Sequence, residues 1–297
     1  MFSFWLPRIK RSKGVIMLVS EFHEQVWWPR CLERLRECTQ ESYHCAWKNW
    51  IEPRFGSMDL HDISPRILDD WLIKKKISPN VWRITKAFIR MAYKYELIEC
   101  DPCDKVLNAP SKRKPMPRTL THDEMVTLMD GLSGTVVYAV VVCGCTLGLR
   151  REEACGLMWS DFDWERRTVR IERGVQFVHG REVTVDPKTP LSQRTLPLPS
   201  ETVKRLYPVR GEGRLLGEYH VHQIANRYRT LCKQRDLPYV PMSNLRTSWC
   251  TMMVNNGMPV SKVSRYMGHA DTETTMRWYT KPREDELDEI AKSWGAS

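Results

Sequence analysis

Eleven residues near the middle of the chain, Asn108 to Arg118 (NAPSKRKPMPR), constrain its folding more than any other stretch. Three prolines deny this segment a regular helix, and four basic side chains favour solvent or phosphate over a core. It reads as an interdomain linker, so the 297 residues must build two cores, which a chain of that length can do. The helix start that follows is well marked. Thr121 and Glu124 have capping-box spacing, Leu120 and Met125 can staple across it, and Gly131 stands where a C-terminal cap belongs. The expected division is an N-terminal extension over 1–21, a helical domain over 22–107, the basic linker over 108–118, a second domain over 119–282 and a C-terminal helix over 283–297.

Before the linker the pattern is helical throughout. Ser64-Pro65 and Ser78-Pro79 both pair an N-cap with a first-turn proline. The second opens a helix whose apolar face is Val81, Ile84, Phe88, Met91, Ala92 and Tyr95. Arg83, Lys86, Arg90 and Lys94 follow the same period on the other side. At about 100° per residue they share an arc of roughly 80° with no interleaved carboxylate. Mixed signs are usual on a solvated face, so this stripe is expected to meet phosphate. Charge agrees: residues 1–118 carry 22 Lys+Arg against 14 Asp+Glu, and the remainder 24 against 22. A polyanion gripped mainly by the first part of the chain would explain this polarity, although solubility alone would also produce it.

After the linker, Thr135–Leu147 is apolar enough for a buried helix ending near Gly148, with a strand as the alternative. Thr168–Ile171, Glu182–Val185 and Arg194–Leu198 alternate as strands, and Gly180 and Pro187–Pro190 mark turns, which predicts one small antiparallel sheet. The chain turns helical again from about Val221, and Asp271 suits an N-cap for a short helix over Thr274–Tyr279. The fold class expected is mainly α with a small antiparallel β-sheet. No apolar run reaches bilayer length. The N-terminus has Pro7 and a basic stretch after its first apolar residues, the reverse of a secretion signal, so a cytoplasmic location is expected. Among the ten cysteines Cys100 and Cys103 form one CxxC and Cys143 and Cys145 one CxC, without the second pair of a zinc site, and His220 and His222 form an isolated HxH, so no metal and no cofactor is expected. Cys31, Cys38 and Cys45, seven apart, suggest packing along a helix face.

The sequence has no Gly-rich phosphate loop, HExxH or GxSxG element. It does distribute cations and one tyrosine through the second domain in an ordered series. Gly148-Leu149-Arg150 is followed by Glu153, and the run continues to Trp159-Ser160-Asp161. A hairpin sequence follows, Lys188-Thr189-Pro190-Leu191-Ser192-Gln193-Arg194-Thr195-Leu196-Pro197-Leu198. Asn244-Leu245-Arg246, Gly257 and Met267-Gly268-His269 come next, with His269 placed 23 residues and Tyr279 placed 33 residues after Arg246. Singly these are ordinary: an Arg-x-x-Glu is a common intrahelical pair and a lone tyrosine usually packs. Together, in this order, they resemble the two signature boxes and the hairpin of the tyrosine recombinases of the phage integrase family. The likeness extends over roughly residues 22–290, and the helical domain, basic linker and Leu120-Thr121 helix start resemble that family's core-binding domain and its junction.

The resemblance implies a helical core-binding domain and a catalytic domain forming a C-shaped clamp on double-stranded DNA. It also implies site-specific recombination through a 3′-phosphotyrosyl intermediate. Arg150 and Arg246 would hold the non-bridging oxygens, His269 would donate a further hydrogen bond, Lys188 would protonate the leaving 5′-oxygen, and Tyr279 would attack. Glu153 would orient its helix from behind the site. Contacts to DNA would come from Arg83, Lys86, Arg90, Lys94, Lys112, Arg113 and Lys114. The residue types suit the task. A phenol of pKa about 10 needs surrounding cations to become a nucleophile, and a guanidinium grips two phosphate oxygens without losing its proton. The family's second box usually begins with histidine and often has another after the arginine. Here those positions are Ser243 and Thr247, and serine is no base at neutral pH.

The family also implies a dimer on each site and a tetramer in synapsis, with room for an accessory directionality factor and no membrane partner. Leu287, Ile290, Ala291 and Trp294 make the tail amphipathic, fit to close its own domain or, as the resemblance implies, to dock on a neighbouring protomer. The short stretch before the first helix leaves little room for an arm-binding domain and so favours a simple recombinase over the large phage integrases; integration or excision of a mobile element is the role expected. Two other readings stay open: a DNA-binding member impaired by Ser243, and a type IB topoisomerase-like enzyme.

Overall fold

The computed structural model describes residues 16–110, 117–185 and 193–268, and the chain divides into two compact units, Met1–Arg113 and Lys114–Ser297. Among the described residues of the first unit every regular element is helical. Helices α1 (Val19–Phe22) and α2 (Trp28–Arg34) are joined by a π-helical turn, His23–Trp27; α3 (Glu37–Ala46) and α4 (Glu52–Phe55) are joined by another, Trp47–Ile51. The two turns meet in the core, where the His23 ring stacks 3.7 Å from that of Trp47. Then come α5 (Pro65–Lys75) and α6 (Pro79–Lys94), each started as the Ser-Pro pairs predict: Ser64 Oγ accepts from Ile67 N and Ser78 Oγ from Val81 N.

Helix α6 buries Val81, Trp82, Ile84, Thr85, Phe88, Ile89 and Ala92 against this core. Tyr95, expected on that face, is 44% exposed because the helix has ended at Lys94. The seven-residue cysteine spacing is not one helix face. A break at Leu35–Arg36 puts Cys31 on α2 and Cys38 and Cys45 on α3, and only Cys31 is buried.

The second unit opens with α7 (His122–Gly131), whose capping box forms as expected: Thr121 Oγ1 accepts from Glu124 N and Thr121 N donates to Glu124 Oε2. Gly131 is needed for closeness and not for a left-handed turn, since a Cβ there would sit 2.3 Å from the Leu237 side chain. Helix α8 (Tyr138–Leu147) is buried on all sides and ends on Gly148 in the left-handed conformation, φ 60°. Short helix α9 (Arg151–Gly156) follows at once.

The strands form two sheets where one was expected. Strand β1 (Phe162–Asp163), β2 (Thr168–Ile171) and β5 (Arg194–Pro197) make an antiparallel sheet in the order β1-β2-β5. Strand β4 (Arg181–Val185) pairs instead with β3 (Gly174–Val178), a strand that interrupted alternation hid, through a two-residue turn in which His179 and Gly180 both take positive φ. The hairpin is fastened to the start of α11 (Val221–Gln234), because Glu182 accepts from Val221 N at 2.8 Å and pairs with Arg214 and with His220 of the HxH motif. Helices α10 (Ser200–Leu206), α12 (Met242–Asn255) and α13 (Val260–Met267) are the other α-helices among the described residues of the unit. Helix α12 packs on α8 so closely that Gly144 faces Leu245 and a Cβ on Gly148 would enter the Trp249 ring. The helix expected over Thr274–Tyr279 and the tail 283–297 lie outside the described residues. Among the described residues no helix is long and apolar enough to cross a membrane, and no group of His, Cys, Asp and Glu could hold a metal ion.

Candidate active site

Gly148 is the hinge on which the site is built. Its left-handed backbone ends α8 and lets the chain restart as α9 two residues later, with Arg150 as N-cap and Glu153 in the first turn. Arg150 N donates to Glu153 Oε2 at 2.9 Å, and Arg150 Nη1 donates to Oε1 at 2.6 Å. Arg246 arrives from α12 and is buried. Its Nη1 donates to Gly148 O at 2.9 Å and its Nη2 to Met267 O at 2.8 Å. Both carbonyls lie at helix C-termini, of α8 and α13, where unpaired carbonyls and the helix dipole favour a cation. Arg194 enters from β5 and lays its fork on the same carboxylate, Nη1 to Oε1 at 3.2 Å and Nη2 to Oε2 at 3.1 Å.

Three guanidinium groups therefore surround one buried carboxylate, with Arg246 Nη1 3.8 Å from Glu153 Oε2. Burial alone would raise the Glu153 pKa, but the Arg194 hydrogen bonds and the charges of Arg194, Arg150 and Arg246 outweigh it and hold the carboxyl below its usual range. Arg246 moves the other way: burial, then the like charge of Arg150, pull its pKa down to about 9, so it stays charged at neutral pH at a cost. Among the described residues, three positive charges against one negative leave two unbalanced. A phosphodiester carries one negative charge and gains a second when an anion adds to phosphorus, so the deficit matches that chemistry.

Of the residues expected at the site, Arg150, Arg246 and Glu153 come together. Ser243 is exposed in the first turn of α12, and its Oγ bonds Asn244 Oδ1 at 3.3 Å. Lys188, His269 and Tyr279 lie outside the described residues. Arg194 stands within the hairpin motif, and its one sequence signal is its place six residues after Lys188, which periodicity cannot interpret.

In the first unit Arg83, Lys86, Arg90 and Lys94 line a groove of about 700 Å³ together with Arg34 of α2, which no sequence spacing connects to them. Arg90 differs from its neighbours. Its guanidinium binds Asp101 at 2.9 Å and Asp104 at 2.8 Å, carboxylates supplied by the N-cap and the body of the 3-10 turn Pro102–Lys105 and not by the helix itself. Lys112, Arg113 and Lys114 lie outside the described residues.

The family model described as the phage integrase family matches residues 118–286, which takes in the whole arginine cluster. The chain belongs to the phage integrase family. A second model, the phage integrase N-terminal SAM-like domain, matches residues 20–77. Among curated relatives, the tyrosine recombinase XerC-like protein of Caldanaerobacter subterraneus subsp. tengcongensis is 24% identical over 194 residues, 54% of this chain and 50% of that one. The ICEBs1 integrase of Bacillus subtilis is 22% identical over 78% of this chain and 70% of its own length. The transposase of transposon Tn916 from Enterococcus faecalis is 23% identical over 76% and 65%. This integrase-family chain thus spans about half the length of the first of these relatives. The fold is shared with a Tn1549 transposon integrase solved with circular intermediate DNA, at a TM-score of 0.79, 19% identity and coverage of 94% of this chain and 99% of that one. It is also shared with a lambda integrase solved as a tetramer on a Holliday junction, at a TM-score of 0.64, 14% identity and coverage of 94% and 83%.

Proposed function

We propose that this chain recombines double-stranded DNA at specific sites, integrating or excising a mobile element by breaking and rejoining strands through Tyr279. The observation that carries the reading is the cluster of Arg150, Arg194 and Arg246 about Glu153, two charges short of balance. Arg150 and Arg246 hold the two non-bridging oxygens of the scissile phosphate. Tyr279 Oη attacks phosphorus, helped by cations that favour the phenolate, while His269 donates a hydrogen bond to the phosphate; Met267, whose carbonyl Arg246 binds, precedes His269 by two residues. The bond to the 5′-oxygen breaks and Lys188 supplies the proton that the 5′-hydroxyl needs to leave. The 3′-phosphotyrosyl ester keeps the energy of the broken bond, so a 5′-hydroxyl can reverse the step without ATP. Serine is no base at neutral pH, so with Ser243 in that position Tyr279 loses its proton to solvent water, helped by the cations that lower the pKa of the phenol.

The groove lined by Arg34, Arg83, Lys86 and Lys94 grips DNA phosphates, and Lys112, Arg113 and Lys114 add to it from the linker. A dimer on each site and a tetramer in synapsis are supported by the lambda integrase tetramer on a Holliday junction, and a mobile-element role by the ICEBs1 and Tn916 relatives. The tail 283–297 docks on a neighbouring protomer. A methionine-rich apolar groove of about 510 Å³ between α7, α12 and α13 offers it an acceptor. An accessory factor sets direction, and the protein works in the cytoplasm.

The test uses nicked duplexes tiled across the DNA flanking the gene. The expected result is a detergent-stable protein–DNA adduct that Tyr279→Phe abolishes. Binding without any adduct would favour a non-cleaving family member, and supercoil relaxation without paired sites a topoisomerase-like enzyme.

A further inference from the structure

The mechanism just proposed gives no task to Arg194, although this side chain is 10% exposed and makes at least three hydrogen bonds within the cluster. Two go to the Glu153 oxygens and the third, from Nε, to Tyr266 O at 3.1 Å. The same carboxylate already takes Arg150 Nη1 at 2.6 Å and has Arg246 Nη1 waiting at 3.8 Å, just beyond hydrogen-bond length. Glu153 is therefore a competitor for the two arginines that phosphate needs.

We propose that Arg194 is a positioning residue that satisfies the charge of Glu153 and so leaves the guanidinium groups of Arg150 and Arg246 available to a phosphate. The inference rests on the reading of Arg150 and Arg246 as the phosphate clamp. Without the Arg194 charge, the carboxylate faces, among the described residues, the other two guanidinium groups, and the unbalanced charge they leave falls from two to one. The fork also occupies the Oε2 lone pairs that Arg246 would otherwise close upon. An interior pair at these distances is screened weakly, so the loss reaches substrate directly. A purely mechanical reading, in which Arg194 only ties β5 to the end of α13 through Tyr266 O, predicts a different response to removal of the carboxylate.

The experiment follows the rise in melting temperature of the full chain with inorganic phosphate, against chloride at matched ionic strength. Arg194→Met is expected to weaken the apparent phosphate affinity about tenfold or more, a unit charge at this range being worth at least that. Adding Glu153→Gln to Arg194→Met restores the net charge of two and is expected to bring the affinity back to within about threefold of wild type. Phosphate response as weak in the double variant as in Arg194→Met, or undiminished in Arg194→Met, overturns the inference. Should the double variant not fold, Arg194→Lys decides: the charge reading expects most of the affinity to survive, and loss equal to that of Arg194→Met overturns it. Arg150→Ala is the control for the clamp itself. If it leaves the phosphate response unchanged, the clamp reading fails, an outcome distinct from failure of Arg194 alone.

Discussion

Replacing Glu153 by glutamine tests the electrostatics of the site without changing its shape. The carboxylate is 7% exposed at its side chain and balances Arg194, 10% exposed, and Arg246, 9% exposed, as well as Arg150. Glutamine leaves three mutually repelling guanidinium groups with no counter-charge and turns an N–H donor toward them. Removing one partner of a buried ion pair costs about 3–5 kcal/mol. In a unit of this size each kcal/mol moves the melting temperature by about 2–4 °C, so a fall of roughly 6–20 °C is expected for Glu153→Gln at pH 7.

Two further measurements separate this mechanism from general disruption. Inorganic phosphate supplies the missing anion, and at about 100 times its dissociation constant it should return about 2.7 kcal/mol. The pH profile supplies a sign. Glu153 is held below the ordinary carboxylate pKa of about 4.3, so its contribution is fully present above that pH and disappears as pH falls through the lower, folded value. Wild type and Glu153→Gln should therefore converge in acid. A melting temperature within about 2 °C of wild type at pH 7, or a gap that persists in acid, would refute the charge argument.

Three other outcomes are expected. Alanine at Arg83, Lys86 or Lys94 should each reduce the slope of log affinity for DNA against log salt by about one, measured by anisotropy, whereas Arg90→Ala should leave the slope unchanged and lower the melting temperature, because Asp101 and Asp104 already hold that charge. Lys188→Ala should slow cleavage about 10²–10⁴-fold on ordinary DNA and regain it on a duplex with sulfur in place of the 5′-bridging oxygen, a leaving group that needs no proton; failure of that rescue would remove Lys188 as general acid. His23 is buried against Trp47, and desolvation takes its pKa from 6.5 down to about 4 despite the attraction of Glu52. Its neutral form is the folded one, so stability is full above about pH 6.5 and falls by up to about 1.4 kcal/mol per unit as pH drops toward 4. In His23→Phe the acid limb of the urea denaturation midpoint should flatten.

Local rules carried much of the chain. Capping boxes, Ser-Pro starts and the apolar period of 81–92 are decided by contacts within one or two turns, so the helices α5, α6 and α7 could be read from sequence and match in the structure. The order and spacing of Arg150, Glu153 and Arg246 marked a site for the same reason that any ordered motif does, by resemblance and not by geometry. What sequence could not supply were encounters between distant segments. Strand β3 has no alternating burial to mark it in the sequence, and its pairing with β4 divides the expected sheet in two. Asp101 and Asp104 reach Arg90 from a turn eleven and fourteen residues away. Arg194 meets Glu153 across 41 residues, and Arg246 meets Gly148 across 98. Residue types and their order came from the sequence, but the surplus of two positive charges exists only where the folded backbone packs three arginines round a single carboxylate, since charge balance is a property of distance in space.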